Sequence, residues 1–222
     1  MNLNKIIKNI GINAKEASGR LANINNEKKN EALDNLRQDL KLFSSELIKI
    51  NKKDLDNAHL MRLSSSMIDR LTLNEDRIDN MIKSLKEIIN LKDPVGIILS
   101  EWDRPNGLHI KKITVPIGVI GIIYESRPNV TVDASAIAIK AGNAVILRGG
   151  KDSFHTSIKL YKIINESFYP NDEEIRWASK IVSAAKRSNK RGIGAIGVDG
   201  KMIDTPVILR AENILKLISK SD

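Results

Sequence analysis

Residues 115–150 read VPIGVIGIIYESRPNVTVDASAIAIKAGNAVILRGG, and this stretch decides the class of fold. Two apolar runs of strand length, Gly118 to Tyr124 and Ala144 to Leu147, flank a run of small residues from Val130 to Ala141 that has the composition of a buried helix. A buried strand, a helix and a second buried strand in this order are typical of a parallel βαβ unit with both sheet faces covered. The stretch therefore predicts an α/β fold built on a parallel, Rossmann-type sheet.

The segment before this unit has helical periodicity. From Asn4 to about Leu91, apolar residues recur at three- and four-residue steps, which predicts a layer of amphipathic helices. Ser64 or Ser65 is expected to cap one short helix, and Asn74 the next. The residues that carry the periodicity are Ile6, Ile7, Ile10, Ile12, Leu33, Leu36, Leu40, Phe43, Leu47 and Ile50.

Two further elements surround the unit. Ile97 to Trp102 and Leu108 to Val115 flank a turn from Arg104 to Gly107, which predicts a β-hairpin with Asn-Gly at its tip. A helix is predicted from about Ser153 to Ser167. Because only one βαβ unit is present, the predicted sheet is incomplete, and the strand from Ala144 to Leu147 is expected to have an unpaired apolar edge.

The pattern changes after Phe168, so we predict two domains, 1–167 and 168–222. In the second, a break at residues 169–171 precedes a helix capped by Asp172, and a glycine-rich turn at residues 191–200 follows. Pro206 is expected to open a last helix that reaches about Ile218. The second domain is thus predicted to be a small helical tail.

Composition limits the possible functions. The 222 residues, 41% of them hydrophobic, suffice for one domain core with a small appendage. The net charge of +9 comes from cations interspersed with acidic residues, and aromatic residues make up only 4%, so no nucleic-acid partner is expected. No run approaches the ~20 apolar residues of a membrane span, which predicts a cytoplasmic protein without a membrane partner.

Cysteine and histidine usage argues against a metal site. The sequence has no cysteine, which excludes a disulfide framework and a thiolate metal cage. Its histidines, His59, His109 and His155, are far apart along the chain. No metal site is predicted.

Four motifs resemble the γ-glutamyl phosphate reductases, the proline-pathway members of the aldehyde dehydrogenase superfamily. They are MIDRL (67–71), DPVG (93–96), EWDRPNGL (101–108) and YESRPNVTVDA (124–134), and the resemblance covers roughly residues 13–167. It implies an aldehyde-dehydrogenase-like fold and NADPH-dependent reduction of L-glutamyl 5-phosphate to L-glutamate 5-semialdehyde. In that family a cysteine thiolate, placed later in the sequence than these motifs, attacks the acyl phosphate, and this chain has no cysteine.

The resemblance also implies roles for particular residues. Arg148 would contact the adenosine ribose and accept the extra phosphate of NADPH, beside Gly149 and Gly150, where a phosphate or ribose approaches the main chain. Asn129 would stabilise the oxyanion, and Arg127 would clamp the phosphate or carboxylate of the substrate. Each has an alternative: Arg148 as a surface residue, the glycines as a turn, Asn129 as a helix cap, and Arg127 as an ion-pair partner of Glu125.

From about Ile164 onward the sequence resembles a different family, the citrate lyase β-subunit and malyl-CoA lyases. The specific part is DGKMIDTPV at residues 199–207. This resemblance implies that Asp204 corresponds to an acid or base that the tail supplies to a neighbouring active site. The alternative is that Asp204 caps the last helix, whose first turn contains Pro206.

Three hypotheses follow from two partial resemblances joined near residues 163–169. The chain is a reductase that works with a partner supplying the thiolate, or an inactive fragment of one. It is a binding module that forms a homo-oligomer or pairs with a full-length reductase through the hairpin. Or it is a fused reading frame without a selected function. Sequencing of the gene across the junction would test this third hypothesis.

Overall fold

The structure is a computed structural model that describes residues 2–168, 172–189, 196–198 and 201–218. The chain forms two compact units, 1–167 and 168–222. Within the described residues, no helix is long and apolar enough to cross a membrane. The same residues contain no group of three or more histidine, aspartate and glutamate side chains that could hold a metal ion.

The periodicity predicted a layer of helices, and five helices open the first unit. They are α1 (Leu3–Leu21), α2 (Asn26–Leu42), α3 (Ser44–Leu60), α4 (Ser65–Leu71) and α5 (Glu75–Asn90). The predicted caps are confirmed: the Ser64 side chain accepts a hydrogen bond from the Met67 amide, and the Asn74 side chain accepts one from the Arg77 amide. Each satisfies a helix N–H group that has no partner within its own helix.

The break between α2 and α3 was not predicted. Periodicity runs through Phe43 without a Gly or Pro, yet the backbone leaves the helical region there, at φ −92° and ψ 11°. The Lys159 ammonium group lies over the Phe43 ring, 4.6 Å from its centroid. A contact with a residue 116 positions later along the chain cannot be predicted from the local sequence pattern.

The hairpin forms where it was predicted. Strand β1 (Ile98–Asp103) pairs antiparallel with β2 (His109–Ile113), and a bulge lies between Ile98 and Ser100. The Gly107 amide donates to the Arg104 carbonyl, and Gly107 has a φ of 83°, a conformation that favours glycine. Every residue of β1 is exposed within the chain.

The βαβ unit confirms the predicted fold class. Strand β3 (Val119–Ile123) leads to α6 (Pro128–Lys140) and then to β4 (Ala144–Arg148), which pairs parallel with β3 in a two-stranded sheet. A single helical turn, Lys151–Ser153, precedes α7 (Phe154–Glu166).

Gly142 ends helix α6. Its φ is 72°, its amide donates to the Ile139 carbonyl, and the Asn143 amide donates to the Ala138 carbonyl. This pair of bonds is the Schellman arrangement, in which glycine avoids the strain that a side chain would cause. It turns the chain sharply into β4.

The described residues of the second unit form two helices and a small hairpin. Helix α8 (Asp172–Asn189) is followed by β5 (Ile196–Val198), β6 (Lys201–Ile203) and α9 (Thr205–Ile218). The prediction of a glycine-rich turn at residues 191–200 was incomplete, because β5 lies within that stretch and pairs antiparallel with β6, which follows it directly. The predicted break at residues 169–171 lies outside the described residues. Among the described residues of this unit, Ala178, Ile181, Val182 and Ala211 form one buried apolar cluster.

Candidate functional site

A loop between β3 and α6 is fixed against the segment that follows β4. The hydroxyl groups of Tyr124 and Thr131 are 2.6 Å apart, and the Ser126 hydroxyl donates to the Asp152 carboxylate over 2.7 Å. A Cβ on Gly149 would lie 3.1 Å from the Tyr124 hydroxyl oxygen, and one on Gly150 would lie 3.3 Å from the Ser126 amide nitrogen. The two glycines therefore allow close contact between these segments.

A cleft of about 350 Å³ lies where this loop meets the helical layer. Helices α4 and α5 form one side, and the first turns of α6 form the other. The residues that line it are Asp69, Arg70, Thr72, Leu73, Arg77, Asn80, Met81, Ser84, Arg127, Pro128, Asn129 and Asp133. Arg127 and Asn129, which the sequence predicted as site residues, are thus brought together.

Arg77 fixes the helical side of the cleft. Its guanidinium donates to the carbonyl oxygen of Asp69, to the carbonyl oxygen of Thr72 over 2.8 Å, and to the Asp69 carboxylate over 2.7 Å. One planar fork of donors therefore joins the end of α4 to the start of α5. Because these bonds occupy Arg77, it is not the cation we expect to meet a ligand.

Asn129 lies inside helix α6 and does not cap it. The helix begins at Pro128, and the residue at the capping position is Arg127, whose side chain makes no capping hydrogen bond. Proline suits the first helical position, because the backbone N–H group that it lacks would have no hydrogen-bond partner within the helix in any case. The helix therefore starts two residues earlier than predicted. The Asn129 amide nitrogen donates to the Asp133 carboxylate over 3.2 Å, which orients the amide at the cleft.

Two guanidinium groups at the cleft are exposed and unpaired. Arg127 and Arg70 make no side-chain hydrogen bond or ion pair within the residues that the structure describes. The predicted alternative of an ion pair between Arg127 and Glu125 is not found there. Both arginines are thus free to bind an anion.

The predicted cofactor residues lie apart from the lining of this cleft. Arg148 is the last residue of β4 and is exposed, and Gly149 and Gly150 follow it directly. The glycines contact Tyr124 and Ser126, as described above, and the φ of Gly150 is −67°, which any residue can adopt. The packing of their own chain therefore accounts for both glycines.

A buried polar network supports the cleft, and it was not predicted. Asp54 of α3 accepts hydrogen bonds from the amides of His155 and Thr156 and from the Thr156 hydroxyl, at 3.1, 2.8 and 2.6 Å. Asn51 of the same helix donates to the Leu71 carbonyl oxygen and accepts from the Leu73 amide. Helix α3 therefore positions both the start of α7 and the turn beside the cleft.

A second buried network joins α2 to the end of α6. The Lys29 ammonium group lies 2.5 Å from the Asp93 carboxylate, and the Lys140 ammonium group donates to the side chains of Asn26 and Asn30 and to a carbonyl oxygen of α5. Burial lowers the pKa of Lys140, and Asp93 only partly opposes this effect. Burial by itself would raise the pKa of Asp93, but the hydrogen bond from Lys29 and a backbone N–H bring it below its usual value.

Asp204 in the second unit occupies a capping position. Its carboxylate accepts a hydrogen bond from the Val207 amide over 3.2 Å, at the start of α9. The side chain is exposed. This geometry agrees with the structural alternative given for Asp204.

The fold is that of the aldehyde dehydrogenases. An acetylating aldehyde dehydrogenase from Geobacillus thermoglucosidasius, 14% identical, superposes on 74% of the chain with a TM-score of 0.53. The first unit thus has an aldehyde-dehydrogenase-like α/β fold, with a helical layer and a small parallel sheet. No protein-family model matches the chain.

More similar proteins are γ-glutamyl phosphate reductases. The Bartonella henselae protein of that name is 45% identical over 196 residues, which covers 86% of this chain and 48% of that protein. The crystal structure of the Thermotoga maritima γ-glutamyl phosphate reductase is 42% identical with a TM-score of 0.68, and covers 69% of this chain and 37% of that one. The chain therefore spans less than half the length of these relatives.

Proposed function

We propose that the chain forms the N-terminal part of a reductase that converts L-glutamyl 5-phosphate to L-glutamate 5-semialdehyde in proline biosynthesis, and that it acts in the cytoplasm. One observation carries the proposal. Arg127 and Asn129, from the motif most specific to these reductases, line one cleft. The 45% identity to a protein named γ-glutamyl phosphate reductase supports the same proposal. An anion-binding group and an amide donor at one cleft suit the reduction of an acyl phosphate.

In this reaction a thiolate attacks the acyl carbon, phosphate leaves, and the resulting thioester accepts a hydride to release the aldehyde and the thiolate. The chain has no cysteine, so the proposal places the thiolate outside these 222 residues. The Asn129 amide would donate to the oxyanion that forms during attack, since its orientation is fixed by Asp133. Arg127 would bind the phosphoryl group before it leaves.

The exposed Arg148 guanidinium fits a nicotinamide cofactor that carries an additional phosphate, which is why we propose NADPH. When bound, such a cofactor supplies the hydride. Arg148 would contact the ribose phosphate, and the loop held by Tyr124 and Ser126 would keep Gly149 and Gly150 in place. Since the described residues contribute only β3 and β4 to the parallel sheet, we expect the chain alone to bind NADPH weakly.

The hairpin is the proposed surface for self-association or for pairing with a full-length reductase. Ile98, Leu99 and Trp102 of β1 are 48%, 58% and 41% exposed. Apolar side chains on an exposed two-stranded ribbon favour strand addition or packing against a partner. Analytical ultracentrifugation of the chain and of a Trp102→Lys variant tests this, and equal sedimentation of the two as monomers would refute self-association.

A hybrid enzyme tests the proposed function. Residues 1–167 of this chain would replace the matching segment of the Thermotoga maritima reductase, which supplies the remainder of that enzyme. We expect NADPH oxidation with γ-glutamyl phosphate, and a loss of about 100-fold in kcat when Asn129 is changed to Ala. A folded hybrid without activity would refute the proposal, and turnover by the cysteine-free chain alone would refute the thiolate mechanism.

For the second unit we propose that Asp204 stabilises helix α9 through its bond to the Val207 amide. The other candidate is that the tail supplies Asp204 to a CoA-ester lyase in trans. Asp204→Asn tests the choice, because an asparagine also caps helices well and stability should change by only a few tenths of a kcal/mol. A change in the activity of an added lyase would support the second candidate.

A further inference from the structure

The cleft carries charges that the roles of Arg127 and Asn129 do not use. Arg70, at the end of α4, lines it with an unpaired guanidinium. Asp133, in the second turn of α6, contributes a carboxylate that accepts from Asn129 and, over 3.1 Å, from the Ser84 hydroxyl. No cationic side chain within the described residues pairs with Asp133. The cleft thus has two free cations and one carboxylate whose only partners are neutral.

The order of these groups along α6 follows the order of groups in an amino acid with an acyl phosphate. Arg127 is at the start of the helix, Asn129 is in its first turn, and Asp133 comes one turn later. Six residues of helix span about 9 Å. That length is comparable with an extended five-carbon amino acid that carries a phosphoryl group on its side chain. An ammonium group near Asp133 would therefore place the acyl carbon near Asn129 and the phosphoryl group near Arg127.

We infer that the cleft is the site that recognises the amino-acid end of the substrate: Asp133 binds the α-ammonium group, and Arg70 binds the α-carboxylate. Arg127 is left for the phosphoryl group. The inference rests on the proposed function for the identity of the substrate, but it assigns two residues that the function itself does not require. It predicts a site specific for a zwitterionic amino acid, which an anion-binding cleft alone would not be.

Existing contacts prepare each group for this role. Asp133 is held between α5 and α6 by Ser84 and Asn129, so its carboxylate is oriented before a ligand arrives. Arg77 fixes the turn that follows Arg70, because it bonds to the carbonyl oxygens of Asp69 and Thr72. A site whose supporting groups are already ordered loses less entropy on binding.

Calorimetry on the full chain tests the inference without catalysis. The probe is the phosphonate analogue of L-glutamyl 5-phosphate, in which methylenes replace the carbonyl group and the bridging oxygen. Two further probes lack either the amino group or the α-carboxylate. We expect the full analogue to bind about tenfold or more tightly than either truncated one, as is typical of charged hydrogen bonds.

Variants then assign the groups. Asp133→Asn should lower the affinity for the full analogue to that for the amino-free probe. The affinity for the amino-free probe itself should not change. Arg70→Gln should act in the same way with respect to the carboxylate-free probe. Arg104→Gln, at the exposed hairpin turn, is the matched control and should change nothing. Thermal unfolding of each variant shows that it remains folded.

Three outcomes would overturn the inference: no probe binds, the amino-free probe binds as tightly as the full analogue, or Arg104→Gln weakens binding as much as Arg70→Gln. None of these binding results depends on the activity of the hybrid enzyme, and the assay of that activity tests the proposed function separately. An inactive hybrid together with the expected probe series would refute the reductase proposal and leave an amino-acid site in place.

Discussion

Replacing Asp54 by alanine should destabilise the first unit severely. The carboxylate is 1% exposed and accepts three hydrogen bonds, two of them from the backbone amides of His155 and Thr156. In the alanine variant these donors remain within the protein without an acceptor, at a cost of about 1–3 kcal/mol each. Since these costs are not fully additive, we expect a total decrease of about 3–5 kcal/mol in the free energy of unfolding, as for the removal of one partner of a buried charged group.

Urea unfolding followed by far-ultraviolet circular dichroism measures this change. Asp54→Asn keeps one acceptor oxygen and should cost only about 1–2 kcal/mol. Asp56→Ala is the matched control, because Asp56 lies on the exposed face of the same helix and should change stability by about 0.5 kcal/mol or less. A loss at Asp54→Ala no larger than that at Asp56→Ala would refute the reasoning.

Two further predictions concern the end of α6 and the Lys29 ion pair. Gly142→Ala should lower the free energy of unfolding by about 1–3 kcal/mol, because φ is 72° and the new Cβ would lie 2.9 Å from Pro116 Cγ. The control is Gly121→Ala, whose Cβ would have no atom within 4 Å and which should lower the free energy of unfolding far less in the same urea assay. Because the folded-state pKa of Asp93 is lowered, its ion pair with Lys29 stabilises the fold above the unfolded pKa of about 4 and loses this effect as the pH falls further. Stability should therefore fall less steeply with acid in Asp93→Asn than in the parent chain, and equal slopes would contradict the prediction.

Much of the fold could be predicted because its signals are local. Ser64 and Asn74 act as caps within three residues of themselves, and the turn at Gly107 depends on its own backbone conformation. The break at Phe43 has no such local signal, because neither Gly nor Pro stands there, and the cation that contacts its ring, Lys159, belongs to α7.

The sequence indicates the polar networks only in part. Asn51 and Asp54 share a buried helix face with Leu47 and Ala58, so polar residues interrupt an apolar stripe. That pattern indicates buried hydrogen bonding, but it does not reveal the partner. Thr156, which bonds to both residues, follows them by more than 100 positions.

The candidate site could be predicted only in part. Arg127 and Asn129 came from a resemblance, and both line the cleft. Arg70 and Asp133 stood within quoted motifs without a role, because only the tertiary packing brings the end of α4 and the second turn of α6 to one cleft. The distance between two motifs in space is not encoded in either motif alone.

The long separation between the partners of the two polar networks has a consequence for synthesis of the protein. When the ribosome has produced helices α1 to α5, Lys29 still lacks the carbonyl oxygen of Lys140, and Asp54 lacks the amide of Thr156. The nascent helical layer would have to bury polar groups without partners, so it cannot close stably at that stage. Final packing must wait for the residues of α7 to emerge, and until then the nascent chain exposes leucine-rich helix faces that a chaperone could bind.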